Sequence, residues 1–196
     1  LRIREAGPAD FEPWLAIHEA VAGEGRWIGA ELPLDPVDMR DHFDRALADD
    51  QAVLLLAQPA EGGGGAGEGA AGAGEGAAGA GGGAGAAGGG AGAGAIVGYL
   101  RTQVAPYGVA DLGMAVADGW RGQGVGSALL AAAIDWARAH GAHKVALQFW
   151  PHNTAAQALY EKFGFVVEGR LRRHYPRRNR ERWDAVIMGL LLDDPP

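Results

Sequence analysis

The chain has 196 residues, with 17 Lys and Arg against 24 Asp and Glu, a formal net charge of −7 and no cysteine. Without cysteine there is no disulfide scaffold and no Cys-ligated zinc or iron–sulfur site. The negative balance argues against a chain that binds nucleic acid or an anionic membrane as a whole, and no apolar run approaches the ~20 residues that span a bilayer.

Residues 1–6 alternate as a half-buried strand does. Pro8-Ala9-Asp10 breaks it and offers Asp10 as a helix N-cap. Phe11, Trp14, Leu15, His18 and Val21 or Ala22 then recur at helical spacing, and Gly23 and Gly25 end the helix. The opening segment holds no apolar signal-peptide core, so a cytoplasmic protein is expected. Asp35-Pro36 starts a second helix, with Met39, Phe43 and Leu47 as its buried stripe, and residues 52–57 read as a fully buried strand. Residues 62–95 hold only 19 Gly, 13 Ala and 2 Glu. Glycine has too little to bury against its backbone entropy, so this tract is expected to be a flexible insert at a hairpin tip inside a single domain. Strands resume at residues 96–100 and 109–116.

The Gly-rich run Gly119-Trp120-Arg121-Gly122-Gln123-Gly124-Val125-Gly126 leads into a helix over about Ser127–His140, whose inward face is Leu129, Leu130, Ala133, Ile134 and Ala137. A strand over Lys144–Phe149 follows, then a short helix opened by Asn153-Thr154 and closed by Gly164, then strands over about 165–173 and 182–191. Thr154 and Gln157 stand at capping-box spacing. The order is β-α-α-β-β-β-α-β-α-β-β, a mixed α/β layer fold.

A strand, a glycine-rich turn and a helix N-terminus make an anion site, because the first helical turn has unpaired N–H groups and a partial positive charge, and glycines let main chain approach phosphate oxygens. A P-loop needs Gly-Lys-Ser/Thr, and no Lys lies here; a dinucleotide fingerprint needs G-x-G-x-x-G, whereas the glycines fall at 122, 124 and 126.

The run Arg121-x-x-Gly124-x-Gly126, the strand before it and the Asn153…Leu159-Tyr160-Glu161-Lys162-Phe163-Gly164-Phe165 segment after it resemble the GNAT superfamily of acyl-CoA N-acyltransferases. The resemblance covers residues 96–191, roughly half the chain. The tail from Glu168 to Met188 is similar to the branch acting on free amino acids and related small amines. It implies a central twisted sheet of about seven strands flanked by about four helices, with acetyl-CoA as acyl donor and no metal. The strand before the loop would splay from its neighbour and offer the backbone of Met114, Ala115 and Val116 to the pantetheine arm, the N–H of Ala115 or Val116 supporting the thioester oxygen. The amides of Gly122, Gln123, Gly124, Val125, Gly126 and Ser127 would hold the pyrophosphate, Arg121 would position the loop, and Asn153 would cap its helix and contact the pantetheine. Tyr160 would give the departing CoA thiolate its proton, since a phenol with a pKa near ~10 is protonated at neutral pH.

No acid stands at the two places where relatives carry a base: Gln148 occupies one and Ala110, beside Asp111, the other. Asp111, His152 and His174 remain as candidates. An α-amine of pKa ~8 costs only about 1 kcal/mol to hold neutral at pH 7, so the missing acid favours an easily deprotonated acceptor. Residues 1–50 carry 12 acids and 5 Arg, an acidic rim suited to a cationic amine, with Glu24, Arg26 and Trp27 placed to contact it and Asp111 a further substrate contact. Residues 170–182 hold seven basic residues, read as an exposed, solubilising hairpin, with Asp184 placed either to pair with one of them or to touch substrate. The implied partner is a small-molecule amine, not nucleic acid or membrane; a homodimer is left open. Rival readings are an acyl-CoA-binding sensor, a protein N-terminal or lysine acetyltransferase, and a nucleotide enzyme.

Overall fold

The computed structural model describes residues 1–60 and 95–192; the Gly/Ala tract, expected as a flexible insert, lies outside them apart from Ala95. Twelve elements follow one another: β1 (Arg2–Glu5), a 3-10 turn (Pro8–Asp10), α1 (Phe11–Gly23), α2 (Pro36–Ala48), β2 (Ala52–Gln58), β3 (Gly98–Val104), β4 (Val109–Val116), α3 (Val125–Ala139), β5 (Lys144–Phe149), α4 (Thr154–Lys162), β6 (Val166–Pro176) and β7 (Arg182–Leu191). Among the described residues the strands form one sheet in the order β1-β2-β3-β4-β5-β7-β6. All neighbours are antiparallel except β4 and β5, which run parallel through the α3 crossover. The expected mixed α/β fold of about seven strands and four helices is the observed one. β2 and β3 pair directly, Ala57 opposite Gly98, so the sheet runs unbroken across the two sides of the tract.

Apolar residues on both faces of the sheet make two cores. On one face α3 buries Leu129, Leu130, Ala133, Ile134 and Ala137 together with Val145, Leu147, Tyr160 and Phe165. On the other, Phe11, Trp14, Ile17 and Val21 of α1 and Phe43 of α2 pack on Leu54, Leu56, Tyr99 and Ala115. Phe43 and Leu56 have no exposed surface, and burying each contributes about 1.5–3 kcal/mol.

Two local expectations change. Asp10 precedes α1, but its side chain makes no cap bond to that helix. It accepts from the Gly7 N–H and takes both Nη atoms of Arg4, each at 2.7 Å, because the 3-10 turn folds it back toward β1. The hairpin after β6 is not simply a solubilising surface. Arg177 is 7% exposed, ion-paired with Glu31 and laid over the Trp183 ring at 4.4 Å. Arg178 donates to the carbonyls of Leu32 and Pro33. This hairpin therefore pins the α1–α2 linker. Asp184 does pair with Arg170, Nη2 lying 2.7 Å from the carboxylate.

Candidate active site

β4 pairs with β3 along its whole length, from Ala110 opposite Val104 to Val116 opposite Gly98. Against β5 it pairs only from Val109 to Leu112. β5 meanwhile follows β7 out to Phe149, so past Leu112 the two parallel strands part. The bonds Ala105 N–H to Val109 O (2.9 Å) and Ala117 N–H to Val97 O (3.0 Å) set the alternation of the β3–β4 ladder. Odd-numbered residues of β4 turn their amides toward β3 and even-numbered ones toward the gap. Met114 and Val116 thus present main-chain groups to the opening. Ala115 does not: its amide faces β3 opposite Tyr99, which corrects the reading of that N–H as an alternative support for a ligand oxygen.

The loop from β4 to α3 closes one end of the gap. Gly119, Gly122 and Gly124 sit at φ of +79°, +74° and +84°, where any Cβ is strained. A Cβ at Gly122 or Gly124 would meet nothing within 4 Å, so the main chain there is bare. Gly124 is the N-cap of α3, with no side-chain cap and no acid in the first turn. By contrast Asp35 caps α2 and Asn153 caps α4, its Oδ1 accepting from the Ala156 N–H at 3.1 Å. The N-terminus of α3 is thus left with unanswered donors beside an open cradle.

A cavity of about 330 Å³ fills the gap. Met114, Ala115 and Val116 line it from the strand, Arg121, Gly122 and Gly124 from the loop, Gly126 and Ser127 from α3, and Asn153 and Tyr160 from α4 and its cap. Two side chains of this stretch point away from the cavity: the Gln123 amide group folds back onto the Gly119 carbonyl, and the Val125 side chain is 2% exposed in the core, while the expectation for both concerned their backbone N–H groups. Either could serve a ligand only through its backbone.

Arg121 braces the site from its wall. Its Nε donates to the Val116 carbonyl at 3.0 Å, and its two Nη atoms grip the Glu24 carboxylate, which also accepts from the Trp27 indole. The Arg121 hydrogen bond holds the Glu24 acid below the usual carboxylate range. Glu24, expected to meet an acceptor, is therefore a strut between the α1–α2 linker and the loop, while Trp27 does line the cavity.

Tyr160 stands where this cavity meets a second one of about 240 Å³, whose walls include Trp27, Gln148, Trp150 and Tyr175. Phe149 and Phe165 flank the Tyr160 ring, each centroid at 5.8 Å. Burial pushes the phenol up to about 12, so it carries its proton at neutral pH. Gln148 accepts from the Tyr175 hydroxyl at 2.8 Å.

A third cavity, also about 330 Å³, lies beneath α1 and α2 and shares Ile28 and Met114 with the first. Asp111 lines it. His152 is tied by Nε2 to the Arg26 carbonyl at 2.7 Å, and His174 lies among Arg170–Arg173 and Asp184, so neither reaches the three cavities. Sequence reasoning missed the polar cluster in this third cavity. His18 Nδ1 and the Tyr99 hydroxyl are 2.6 Å apart. Burial draws His18 down to about 4, keeping it neutral, and pushes the Tyr99 phenol up. The available signal was a histidine inside the apolar stripe of α1. Among the described residues no group of three or more His, Asp or Glu could hold a metal ion.

The acetyltransferase (GNAT) family model matches residues 81–165. Those residues identify a GNAT acetyltransferase domain in the chain. Among its relatives is an L-methionine sulfoximine/L-methionine sulfone acetyltransferase of Pseudomonas aeruginosa, 28% identical over 97% of this chain and 94% of that protein. The L-amino acid N-acetyltransferase AaaT of Escherichia coli is 34% identical over 48% of this chain and 61% of its own. Of solved GNAT-like folds, yncA of Salmonella typhimurium, determined with its cofactor acetyl-CoA, superposes with a TM-score of 0.73 at 18% identity, covering all of this chain and 95% of the other. An acetyltransferase of the GNAT family from Streptococcus pneumoniae gives 0.72 at 24% identity, covering 97% and 99%.

Proposed function

We propose that this GNAT acetyltransferase moves an acetyl group from acetyl-CoA directly to the primary amine of a small molecule such as an amino acid. One observation carries the reading: the open edge of β4, the uncapped N-terminus of α3 and the ring of Tyr160 border a single cavity. These three features fit the parts of acetyl-CoA. The first-turn amides of α3 and the bare backbone at Gly122 and Gly124 suit a diphosphate. The Met114 and Val116 main-chain groups suit the amides of a pantetheine arm laid along the strand. The full-length likeness to an acetyltransferase of modified methionines and the likeness to AaaT support an amino-acid acceptor.

Acetyl-CoA supplies the acyl group on a thioester, and the chain's own groups do the rest. The Val116 N–H, free on the gap side, is placed to support the thioester oxygen as negative charge gathers there. Tyr160 donates its hydroxyl proton toward the departing sulfur. A phenol near 12 is a weak acid toward a thiol of pKa ~8.5; it acts first as a hydrogen-bond donor to the developing thiolate. Of Asp111, His152 and His174, Asp111 alone stands on a wall of the three cavities described, and its carboxylate serves to attract the ammonium. An α-amine needs little further help to lose its proton. With no cysteine in the chain and direct transfer as the route, no covalent enzyme adduct is required. A single domain and a cytoplasmic setting complete the proposal. The unbroken sheet across residues 57 and 98 supports the first of these.

A thiol-release assay with acetyl-CoA and a panel of amino acids, L-methionine sulfone, polyamines, aminoglycosides and short peptides tests this. Turnover of free amino acids with silence on peptides is expected. Binding of acetyl-CoA without turnover of any amine would mean a sensor, and activity confined to peptides a protein-modifying enzyme.

A further inference from the structure

Buried side-chain donors are almost always paired in folded proteins. Here Trp14 Nε1 and Arg101 Nε are buried without a hydrogen-bond partner among the described residues, and both residues line the same cavity, the one beneath α1 and α2. Arg101 makes no ion pair with a described carboxylate. One of its Nη atoms donates to Gln103 Oε1 at 2.6 Å. The floor of the cavity is clear in front of it: Arg101 stands opposite Gly113 across the β3–β4 ladder, and a Cβ at Gly113 would meet nothing within 4 Å. Gly113 immediately precedes Met114, whose backbone faces the cofactor gap. The charges in the cavity are separate. Asp111 contributes a carboxylate two residues from Gly113, and the two histidines on the wall, His18 and His42, are both disfavoured as cations by burial. Arg101 is thus the standing positive charge, with unsatisfied donors around it.

We propose that Arg101 and Trp14 form a carboxylate subsite, so that the acceptor is an amino carboxylic acid whose carboxylate lies on the guanidinium and indole N–H groups while its amine reaches across Gly113 to the open edge of β4. This rests on the transferase reading above and adds what the acceptor carries besides its amine.

The test compares L-methionine sulfone, and the amino acids that the panel shows to be used, with their carboxamides in the full-length protein and in Arg101→Gln, Arg101→Lys and Trp14→Phe. Losing a charge-assisted hydrogen-bond pair is worth roughly 30-fold, so the wild-type protein should prefer each acid over its carboxamide by about that factor, expressed in KM. Arg101→Gln should erase the preference, Arg101→Lys should restore part of it, and Trp14→Phe should lower it a few-fold. Acetyl-CoA affinity, measured by calorimetry, should stay unchanged in all three variants. Equal use of acid and carboxamide by the wild-type protein, or an acid preference that survives in Arg101→Gln, overturns the subsite while leaving the transferase standing. Failure of the wild-type protein to bind acetyl-CoA removes the transferase reading and the subsite with it.

Discussion

Tyr160 illustrates how one side chain joins core and chemistry. Its ring belongs to the larger core, yet it lies between two cavities. Tyr160→Phe keeps the ring contacts and removes the proton. It should lower turnover by ~100-fold or more with acetyl-CoA affinity little changed, as read from steady-state rates and calorimetry; near-wild-type turnover would end the acid assignment. His18 makes a different prediction. Its folded-state pKa of about 4 lies below the ordinary 6.5, so the unfolded chain takes up a proton first as pH falls. The neutral His18 stabilises nothing extra above pH 6.5, and stability drains away between 6.5 and 4, by up to about 3 kcal/mol. His18→Gln should flatten that acid limb in denaturant titrations run across the window. Tyr160 was legible because it stands in a recognisable run with Asn153 and Gly164. His18, Arg101 and Trp14 were not, because they meet only when α1 folds over β3, a contact with no local signature.

At the scale of elements, α3 was the easiest to read: five apolar residues at helical spacing all proved buried, its end fell one residue early at Ala139, and its start moved from Ser127 to Val125. The difference matters, since it makes Gly124 the cap and turns the preceding glycines into the cradle. Gly124→Val combines strain at φ +84° with a side chain in the open space above the loop. A non-glycine residue there costs about 1–2 kcal/mol of stability. The variant should remain folded by circular dichroism yet lose detectable acetyl-CoA binding; retained affinity would show that the loop does not hold the cofactor. The splay of β4 from β5 could be expected only by likeness to a family, because the strand pairs that produce it are far apart in the chain. Which amides face the gap depends on register, and a sequence does not display register. That is why Ala115 and Val116 stood as equals before the alternation separated them.

For the whole molecule, the two faces of the sheet divide the labour. α3 and α4 border the cavity at the open edge of β4, and the polar cavity beneath α1 and α2 shares Ile28 and Met114 with it. Contacts from distant parts of the chain hold them in register: Arg121 to Glu24, His152 to the Arg26 carbonyl, and Arg177 and Arg178 to residues 29–33. The element order was legible from sequence, while this cross-chain bracing was not, since an arginine-rich hairpin looks the same whether it faces solvent or a tryptophan. Because β2 and β3 pair directly at Ala57 and Gly98, replacing residues 62–95 with a short turn should leave kcat and acetyl-CoA affinity nearly intact; collapse of activity would assign the tract a direct part in the site.

The central claim is the joint placement of diphosphate and sulfur, and a crystal structure of the full chain with coenzyme A tests it most directly. The diphosphate is expected on the main-chain amides from Gly122 to Ser127 and the sulfur within hydrogen-bond reach of the Tyr160 hydroxyl. A diphosphate bound elsewhere, or a phenol well away from the thiol, would contradict it.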